Sequence, residues 1–352
     1  MTYESNRIEN PMPMSQTPRV SVVMAARNAT PYLQSALNSI LGQTFADFEL
    51  IVIDDASTDE TPAILAEYAE HDRRMIVLRN DRRTGQGEAA NRGLERAQGE
   101  YIARQDADDV SFPERLKQQV EFLDSHPEFD LIGARAYVID AEGAPVAPAR
   151  LVTEEQALYA ELQEKRNWIT NGSTMFRRRL NVRYRGKIFC EEVDLFLRLF
   201  GAGHRLTVLP EILYQYRISR THITATRKIE QALHAEQCMR FHRQRQESGT
   251  DDYASWDAAK ALDDYRLRAG NDPSLLDAEF NYRRGLMYPM FTNGVYAGAL
   301  RHAAYLLTHF APWRMGLRWT AINLFVAVKS LGMIFLGRDQ PPDFAWPEKK
   351  SR

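Results

Sequence analysis

The sequence predicts an α/β fold in which a mainly parallel, doubly wound central sheet is flanked by helices and followed by a helical C-terminal extension. Short apolar runs alternate with amphipathic segments through the first 125 residues. Parallel strands need crossover connections, which are usually helices, so this alternation favours a parallel sheet. Acidic or polar residues directly follow several of the runs, which is typical of ligand sites beyond the carboxyl ends of parallel strands.

The N-terminal half predicts four cycles of strand and helix. The first strand is predicted over 20–24, and the first helix opens with Thr30 as N-cap and Pro31 in its first turn, and ends at about Gly42. The later cycles follow from the same periodicity. They comprise strands over 48–53, over 75–78 and after Gly99, and helices over 62–71, 88–97 and 113–125.

The pattern changes from about residue 131. The remaining predicted elements are strands over 131–139 and 170–176, a turn over 140–143, a helix over 191–199, an extended segment over 205–217, and helices from about 227 onward. Two acids in a loop at 249–252 are interpreted as a solvated turn. The predicted organisation is a flexible tail over 1–17, a sheet domain over 18–226 and a helical region over 227–352.

Composition excludes some classes of function. A net charge of -2 gives no case for nucleic-acid binding. The two cysteines have no metal-ligand spacing, and the N-terminus lacks the apolar core of a signal peptide. A reducing cytoplasm is therefore the expected location, with a place at the inner face of the membrane as a further expectation.

Two basic regions leave alternatives open. The run from Arg177 to Lys187 is either a solvated face or a contact for a phosphate or an anionic lipid. Apolar and basic residues alternate over 313–336, where Lys329 interrupts a segment too short for a bilayer span. That segment is either a membrane-interfacial helix or a helix packed on the sheet domain.

Three carboxylates close the strand that follows Gly99. These are Asp106, Asp108 and Asp109, which we call the acidic loop (106–109). Hard oxygen ligands of this kind suit Mg²⁺ or Mn²⁺ shared with a substrate phosphate. The alternative is an acidic turn that caps the next helix. The predicted topology favours the metal site, because it brings Ala26–Asn28 and Asp54–Asp55 to the same sheet edge as the acidic loop.

These residues resemble glycosyltransferase family 2, the inverting enzymes with a GT-A fold. The resemblance covers roughly residues 18 to 225. It is carried by 20–24, Ile53–Asp59, Asn91–Gly93 with Gly99–Ile102, Asp106–Asp109 with Pro113–Leu116, Met175–Arg177, Glu191–Leu195 and Tyr216–Arg217.

The resemblance implies a nucleotide-sugar donor linked to UDP, GDP or dTDP and an Mn²⁺ or Mg²⁺ ion. Asp108 would bind the metal directly, as the second aspartate of the family's DXD motif, and His222 would complete the metal or diphosphate site. The residues expected to bind the donor nucleotide are Ala26, Arg27, Asn28, Asp55, Arg83 and Asp106.

Inverting transfer also needs a base that takes the proton of the acceptor hydroxyl. The family usually has aspartate at this position, where this sequence has Glu192. Glu191, Asp109 and Asp194 are expected to contact the acceptor or support the site. The implied acceptor is a saccharide or lipid-linked saccharide of the cell envelope.

Two other functions fit part of the sequence. The departure at Glu192 makes a catalytically silent subunit that binds nucleotide sugars conceivable. Asp106-Ala-Asp-Asp-Val110 also matches the nucleophile motif of haloacid-dehalogenase-like phosphatases, although that family places the motif on its first strand. Hydrolysis of a nucleotide sugar would separate these functions from transfer, because neither alternative breaks down the donor.

Overall fold

A computed structural model describes residues 17–164, 169–219, 226–269, 295–310 and 312–336, together with residues 283, 284, 286, 287, 290 and 291. The predicted tail, apart from Thr17, lies outside this description, and so does His222.

Within the described residues, nine strands form one sheet in the order β3-β2-β1-β4-β8-β6-β9-β5, with β7 paired to β6. Neighbours among β1, β2, β3 and β4 are parallel, and β8 is antiparallel to both β4 and β6. The strands are β1 Val20–Ala26, β2 Phe48–Asp54, β3 Met75–Arg79, β4 Tyr101–Asp106, β5 Val110–Ser111, β6 Leu131–Ile139, β7 Pro145–Pro148, β8 Met175–Arg177 and β9 Leu206–Arg217.

Helices cover both faces of the sheet, so the predicted fold class is confirmed. They are α1 Leu33–Leu41, α2 Thr61–His71, α3 Gln86–Arg96, α4 Arg115–Ser125, α5 Glu155–Gln163, α6 Glu191–Gly201, α7 Lys228–Ser248, α8 Ala258–Ala269, α9 Tyr296–His309 and α10 Pro312–Phe335. The alternation along β1 explains the layering. Val22 and Met24 pack in one apolar core with α1 and α4, whereas Val23 packs in a second core with α3 and α6.

Two local predictions were wrong. The first helix begins at Leu33, and Thr30 does not cap it, because the Thr30 hydroxyl donates a hydrogen bond to the Asp59 carboxylate. The strand predicted over 170–176 is instead a 3₁₀ turn, Asn171–Ser173, followed by the short strand β8.

Helix α3 approaches the sheet closely at Gly93. A methyl group on Gly93 would lie 2.5 Å from Val23 Cγ1 and 2.6 Å from Ile53 Cδ1, too close for any side chain. The glycine in Asn91-Arg-Gly93 therefore lets α3 seat directly on β1 and β2. This packing fixes α3 relative to β1 and β2.

The basic run from Arg177 to Lys187 divides between side chains that contact the fold and side chains at the surface, such as Arg179 and Arg183, which are 67% and 63% exposed. Arg177 donates to the backbone carbonyls of Leu123 and Phe129, and Arg178 donates to the carbonyl of Gly99. Arg185 pairs with Asp194 and Asp251. Arg177, Arg178 and Arg185 therefore tie loops and helices together, and contact of the exposed side chains with a phosphate or an anionic lipid stays a prediction.

The region after 227 begins inside the sheet domain. Cys238, Met239 and Phe241 of α7 are buried in the same core as Phe196 of α6. By contrast, α9 and α10 pack on each other in a separate apolar cluster around Ala303. Among the helices described, none combines the length and the apolar character that a membrane crossing needs.

Candidate active site

The strand register brings the three predicted segments to one edge. Ala26 pairs with Asp54 across β1 and β2, and Ala25 pairs with Asp106 across β1 and β4. Three adjacent parallel strands thus end level with one another. The loops that begin at this edge are distant from one another in sequence, and together they form the base of the candidate site.

Asp55 organises the loop 80–85. Its Oδ1 atom accepts hydrogen bonds of 2.8 Å from Asn80 Nδ2, the Thr84 amide and the Thr84 hydroxyl, and its Oδ2 atom accepts one of 2.8 Å from the Gly85 amide. Burial raises the pKa of Asp55, but these hydrogen bonds lower it by more, so it lies below its ordinary value. Asp55 is therefore an anionic anchor that holds the loop before α3.

The other predicted donor-binding residues surround this anchor. Ala26 is buried at the end of β1, and Arg27 is exposed, with Nη1 3.4 Å from the Asp55 carbonyl. Asn28 has a φ of 47°, and its Oδ1 accepts a 2.8 Å hydrogen bond from the Thr58 amide. Arg83 is exposed on the loop 80–85. Two arginines near an ordered loop can meet a nucleotide phosphate.

Asp106 lies against the turn that precedes β8. Its amide donates to Tyr214 Oη at 3.2 Å, and Tyr214 is fully buried. A methyl group on Gly172 would lie 2.1 Å from Tyr214 Oη and 2.8 Å from Asp106 Oδ2. Gly172 thus leaves room for both groups.

We expect Gly172→Ala to destabilise the fold by about 1–3 kcal/mol, the usual cost of forcing extra atoms into a packed interior, and to lower activity by displacing Asp106. Urea unfolding and a transfer assay measure the two effects. Tyr214→Phe in the same chain removes the nearest atom and should recover part of the stability. Wild-type stability for Gly172→Ala would contradict this packing.

The rest of the acidic loop is fixed by Arg217, the last residue of β9. The Arg217 amide donates to Asp109 Oδ1 at 2.7 Å, and its Nε donates to the Asp108 carbonyl at 2.7 Å. Asp109 is buried and does not cap α4, which has no side-chain cap. The capping alternative for Asp109 was therefore wrong. Burial, followed by the charges of Asp108 and Asp106, raises its pKa well above the ordinary value.

Two buried arginines lie beneath the acidic loop. Arg104 is 1% exposed, with Nη1 donating to the Val23 carbonyl at 2.9 Å and Nη2 3.9 Å from Asp106 Oδ1. Arg115 donates to the Arg104 carbonyl at 2.6 Å and to Ser111 Oγ at 2.8 Å. Burial lowers the pKa of Arg115 to about 10, so it remains a cation at neutral pH. Together they offset the charge of the loop and hold the chain on both sides of it.

The acidic loop suits a divalent cation by its chemistry. Asp106 and Asp108 are half-buried carboxylates at the sheet edge, and Asp109 Oδ2 is buried with no hydrogen-bond partner among the residues that the structure describes. Within the described ranges, no group of three or more histidine, cysteine, aspartate or glutamate side chains forms a complete protein cage. A cation here would share its ligands with the substrate.

The acid pair, Glu191 and Glu192, opens α6. Glu191 is 6% exposed, whereas Glu192 is half-buried. Burial and then the charge of Glu192 raise the pKa of Glu191 to about 8, partly opposed by Arg104, and Asp106 raises it further. The start of α3 lies between the acid pair and the acidic loop, because Gln86 Nε2 donates to Asp106 Oδ1 at 3.4 Å and a methyl group on Gly87 would lie 3.5 Å from Glu191 Cγ.

Glutamine at position 191 should stabilise the protein increasingly as pH rises from 5 to 8. Between the unfolded value near 4.5 and the folded value of about 8, native Glu191 holds a proton that the unfolded chain has lost. Stability therefore falls with rising pH in the wild type, and Glu191→Gln removes that loss. Melting temperatures without nucleotide or divalent ions test this, with the exposed Glu121→Gln as control. A pH-independent difference would contradict it.

Asp194 supports the structure. Its Oδ2 accepts a 2.8 Å hydrogen bond from Arg198 Nε, and its Oδ1 lies 3.5 Å from Arg185 and 3.8 Å from Arg245 of α7. Asp251 completes this ion cluster through both Arg185 and Arg245. Asp251 was predicted to be a solvated turn residue, and that interpretation was wrong, since its side chain is 5% exposed.

Sequence reasoning missed the residues that support the site. Arg104 could have been found as a charge inside a strand that is otherwise buried, because a buried arginine needs a specific partner. Gly172, Tyr214 and Arg115 gave no local signal of their proximity to the acidic loop. Cys190 and Cys238, adjacent to the acid pair, are buried free thiols with Sγ atoms 3.9 Å apart.

Comparison with known proteins gives a consistent result. The family model described as Glycosyl transferase family 2 matches residues 21–185. EpsE of Bacillus subtilis (strain 168), which is named as a glycosyltransferase, is 37% identical over 213 residues, covering 58% of this chain and 74% of EpsE. The amylovoran biosynthesis glycosyltransferase AmsE of Erwinia amylovora is 27% identical over 188 residues, covering 53% of this chain and 70% of AmsE.

Two solved structures share the fold. S. aureus TarS 1–349 in complex with UDP-GlcNAc has a TM-score of 0.53 and 18% identity, covering 91% of this chain and 92% of TarS 1–349. The mannosyltransferase PcManGT from Pyrobaculum calidifontis, in complex with GDP-Man and Mn²⁺, has a TM-score of 0.52 and 20% identity, covering 92% of this chain and 91% of PcManGT.

Proposed function

Because the chain belongs to glycosyltransferase family 2, we propose that it transfers a sugar, with inversion, from a nucleotide-sugar donor to a hydroxyl of a saccharide or lipid-linked saccharide in the synthesis of a cell-envelope polysaccharide. Membership of the family sets the phosphatase alternative aside. The relatives named for amylovoran and succinoglycan biosynthesis support the polysaccharide role.

The observation that carries the proposal is that Asp55 and Asp106 converge at one sheet edge, with the acid pair nearby. Asp55 follows β2 and Asp106 ends β4, the two strands on either side of β1. At the start of α3, Gln86 Nε2 donates to Asp106 Oδ1 at 3.4 Å, and a methyl group on Gly87 would lie 3.5 Å from Glu191 Cγ. Nucleotide sugars are bound by TarS and PcManGT, which supports a donor of this class. UDP-, GDP- and dTDP-sugars are all candidates, with Arg27, Asn28 and Arg83 as contacts for the nucleotide.

The proposed metal is Mn²⁺ or Mg²⁺, held by Asp108 with Asp106 and completed by His222. PcManGT is in complex with Mn²⁺, which supports divalent metal use. A bound cation would offset the charge of the departing nucleoside diphosphate. The protein contributes by holding the two carboxylates in place through Arg217, Tyr214 and the buried arginines.

Glu192 is proposed as the base. It is the more accessible member of the acid pair, so an acceptor hydroxyl can reach it. The hydroxyl oxygen attacks the anomeric carbon, its proton passes to Glu192, and the nucleoside diphosphate leaves from the opposite face. Glu191, Asp109 and Asp194 keep the pair and the acidic loop in position. The proposed location is the cytoplasm, at the inner face of the membrane, where a lipid-linked acceptor would be available.

A thermal-shift panel tests the donor. We expect one of the UDP-, GDP- or dTDP-sugars to raise the melting temperature in the presence of Mn²⁺ and much less without it, because a ligand that binds the native state stabilises it by mass action. Nucleoside monophosphates provide the matched control for the diphosphate. A protein that no nucleotide sugar stabilises, with or without metal, would contradict the proposed function.

A further inference from the structure

Helix α10 carries its apolar side chains on the outside. Leu324, Phe325, Val328, Leu331 and Phe335 are between 46% and 82% exposed, and we call them the outer stripe. They recur at intervals of four, three and four residues from Leu324, with Phe325 adjacent, so they occupy one face of the helix.

The opposite face of α10 is partly polar. Asn323 is 1% exposed and Ser330 is fully buried, on either side of the buried Val326. A surface helix in water normally shows the reverse arrangement, with apolar residues inward and polar residues outward. A contiguous exposed apolar face of this kind marks a surface that is covered by another apolar phase or by a partner.

The charges around the outer stripe favour an anionic surface. The segment 295–336 contains four arginine or lysine residues and no aspartate or glutamate. Lys329 is exposed on α10 next to Val328. A second copy of this chain would bring two such segments together with no acid in either to neutralise them. Anionic lipid headgroups would satisfy the same cations.

We propose that α10 lies along the surface of a membrane that contains anionic lipids, with the outer stripe inserted among the acyl chains nearest the headgroups. An amphipathic helix of this length and charge is suited to lying in the interface. The role of this contact rests on the proposed function, because the membrane would bring the enzyme to a lipid-linked acceptor.

The outer stripe is linked to the acidic loop through packed residues. The rings of Phe325 and Phe291 are 6.1 Å apart, and Met290 packs on a cluster of β6 and β7 residues that includes Val138. The turn after β6 accepts hydrogen bonds of 3.2 Å from Arg217 through the carbonyls of 140 and 141. If α10 binds the membrane, these contacts would hold the acidic loop in a defined orientation relative to the membrane surface.

Vesicle co-sedimentation of the full chain tests this. We expect the wild type to pellet with phosphatidylcholine vesicles that contain phosphatidylglycerol, to pellet poorly with phosphatidylcholine alone, and to be released by high salt. The combined variant Leu324→Ser, Val328→Ser, Phe335→Ser should lower the partition coefficient at least about tenfold, because three apolar side chains no longer enter the membrane. Lys329→Glu should weaken binding to anionic vesicles only.

The matched control is Leu267→Ser, which replaces a leucine of α8 that is 83% exposed but is not part of the outer stripe, and it should bind as the wild type does. Wild-type protein that stays in the supernatant with both vesicles would overturn the proposal. So would a triple variant that binds normally but changes from dimer to monomer by light scattering, because the stripe would then be a subunit interface. Donor hydrolysis measured on the same samples separates this result from a failure of the proposed transfer chemistry.

Discussion

Replacing Glu192 by glutamine should lower the rate of sugar transfer by roughly 10²- to 10⁴-fold, the range contributed by a positioned general base. Glutamine keeps the shape of the side chain but cannot accept the proton of the acceptor hydroxyl. Binding of the donor nucleotide should be preserved, since the proposed donor contacts lie at the ends of β1 and β2, on the loop 80–85 and in the acidic loop. Single-turnover transfer and nucleotide-dependent thermal shift measure the two effects.

The matched comparison is Glu191→Gln, one residue away. Glu191 is 6% exposed and has a pKa of about 8, so at neutral pH it is mostly protonated and glutamine resembles its resting state. Its loss of transfer should be much smaller than that of Glu192→Gln. If the two variants exchanged these effects, Glu191 would be the base and Glu192 its supporting neighbour.

Asp108→Asn should abolish turnover and remove the part of nucleotide binding that depends on Mn²⁺ or Mg²⁺. An amide oxygen is a weaker ligand for a hard cation than a carboxylate, and the charge proposed to hold the metal is lost. The backbone carbonyl of Asp108, which accepts a hydrogen bond from Arg217, is unchanged, so the loop should stay in place. Activity and isothermal titration with nucleoside diphosphate, with and without metal, measure the change.

The control for Asp108→Asn is Glu121→Gln, a loss of one exposed carboxylate on α4. It should leave metal-dependent binding intact. Full activity of Asp108→Asn with unchanged metal dependence would show that the cation, if used, is held elsewhere.

The sheet edge could be predicted from sequence because strand ends in a parallel sheet meet in a regular way. Once strands were placed over 20–24 and 48–53 and after Gly99, the proximity of Asp55 and Asp106 followed from topology. The strand register confirms that these strand ends meet, because Ala26 lies opposite Asp54 and Ala25 lies opposite Asp106.

The support for this edge could not be predicted because it depends on contacts between distant segments. Tyr214 meets Asp106 across 108 residues, and Arg217 meets Asp109 across the same separation. From sequence Asp251 is predicted to be a solvated turn residue, because its ion pairs with Arg185 and Arg245 form only in the folded protein. Local sequence patterns predict which face of a helix or strand is apolar, but they do not predict which buried charged side chains will pair in the folded protein.

The ion cluster around Asp194 ties the chemistry to the C-terminal part of the chain. Asp194 stands two residues after Glu192 on α6, and Arg245 and Asp251 belong to α7 and the loop after it. A chain truncated at 226 would leave Asp194 in the interior without Arg245 and would uncover the core that Phe241 fills. We therefore expect the smallest stable form of the enzyme to be longer than its family motifs, and we expect proteolysis within α7 to inactivate it although α7 carries none of the proposed substrate contacts.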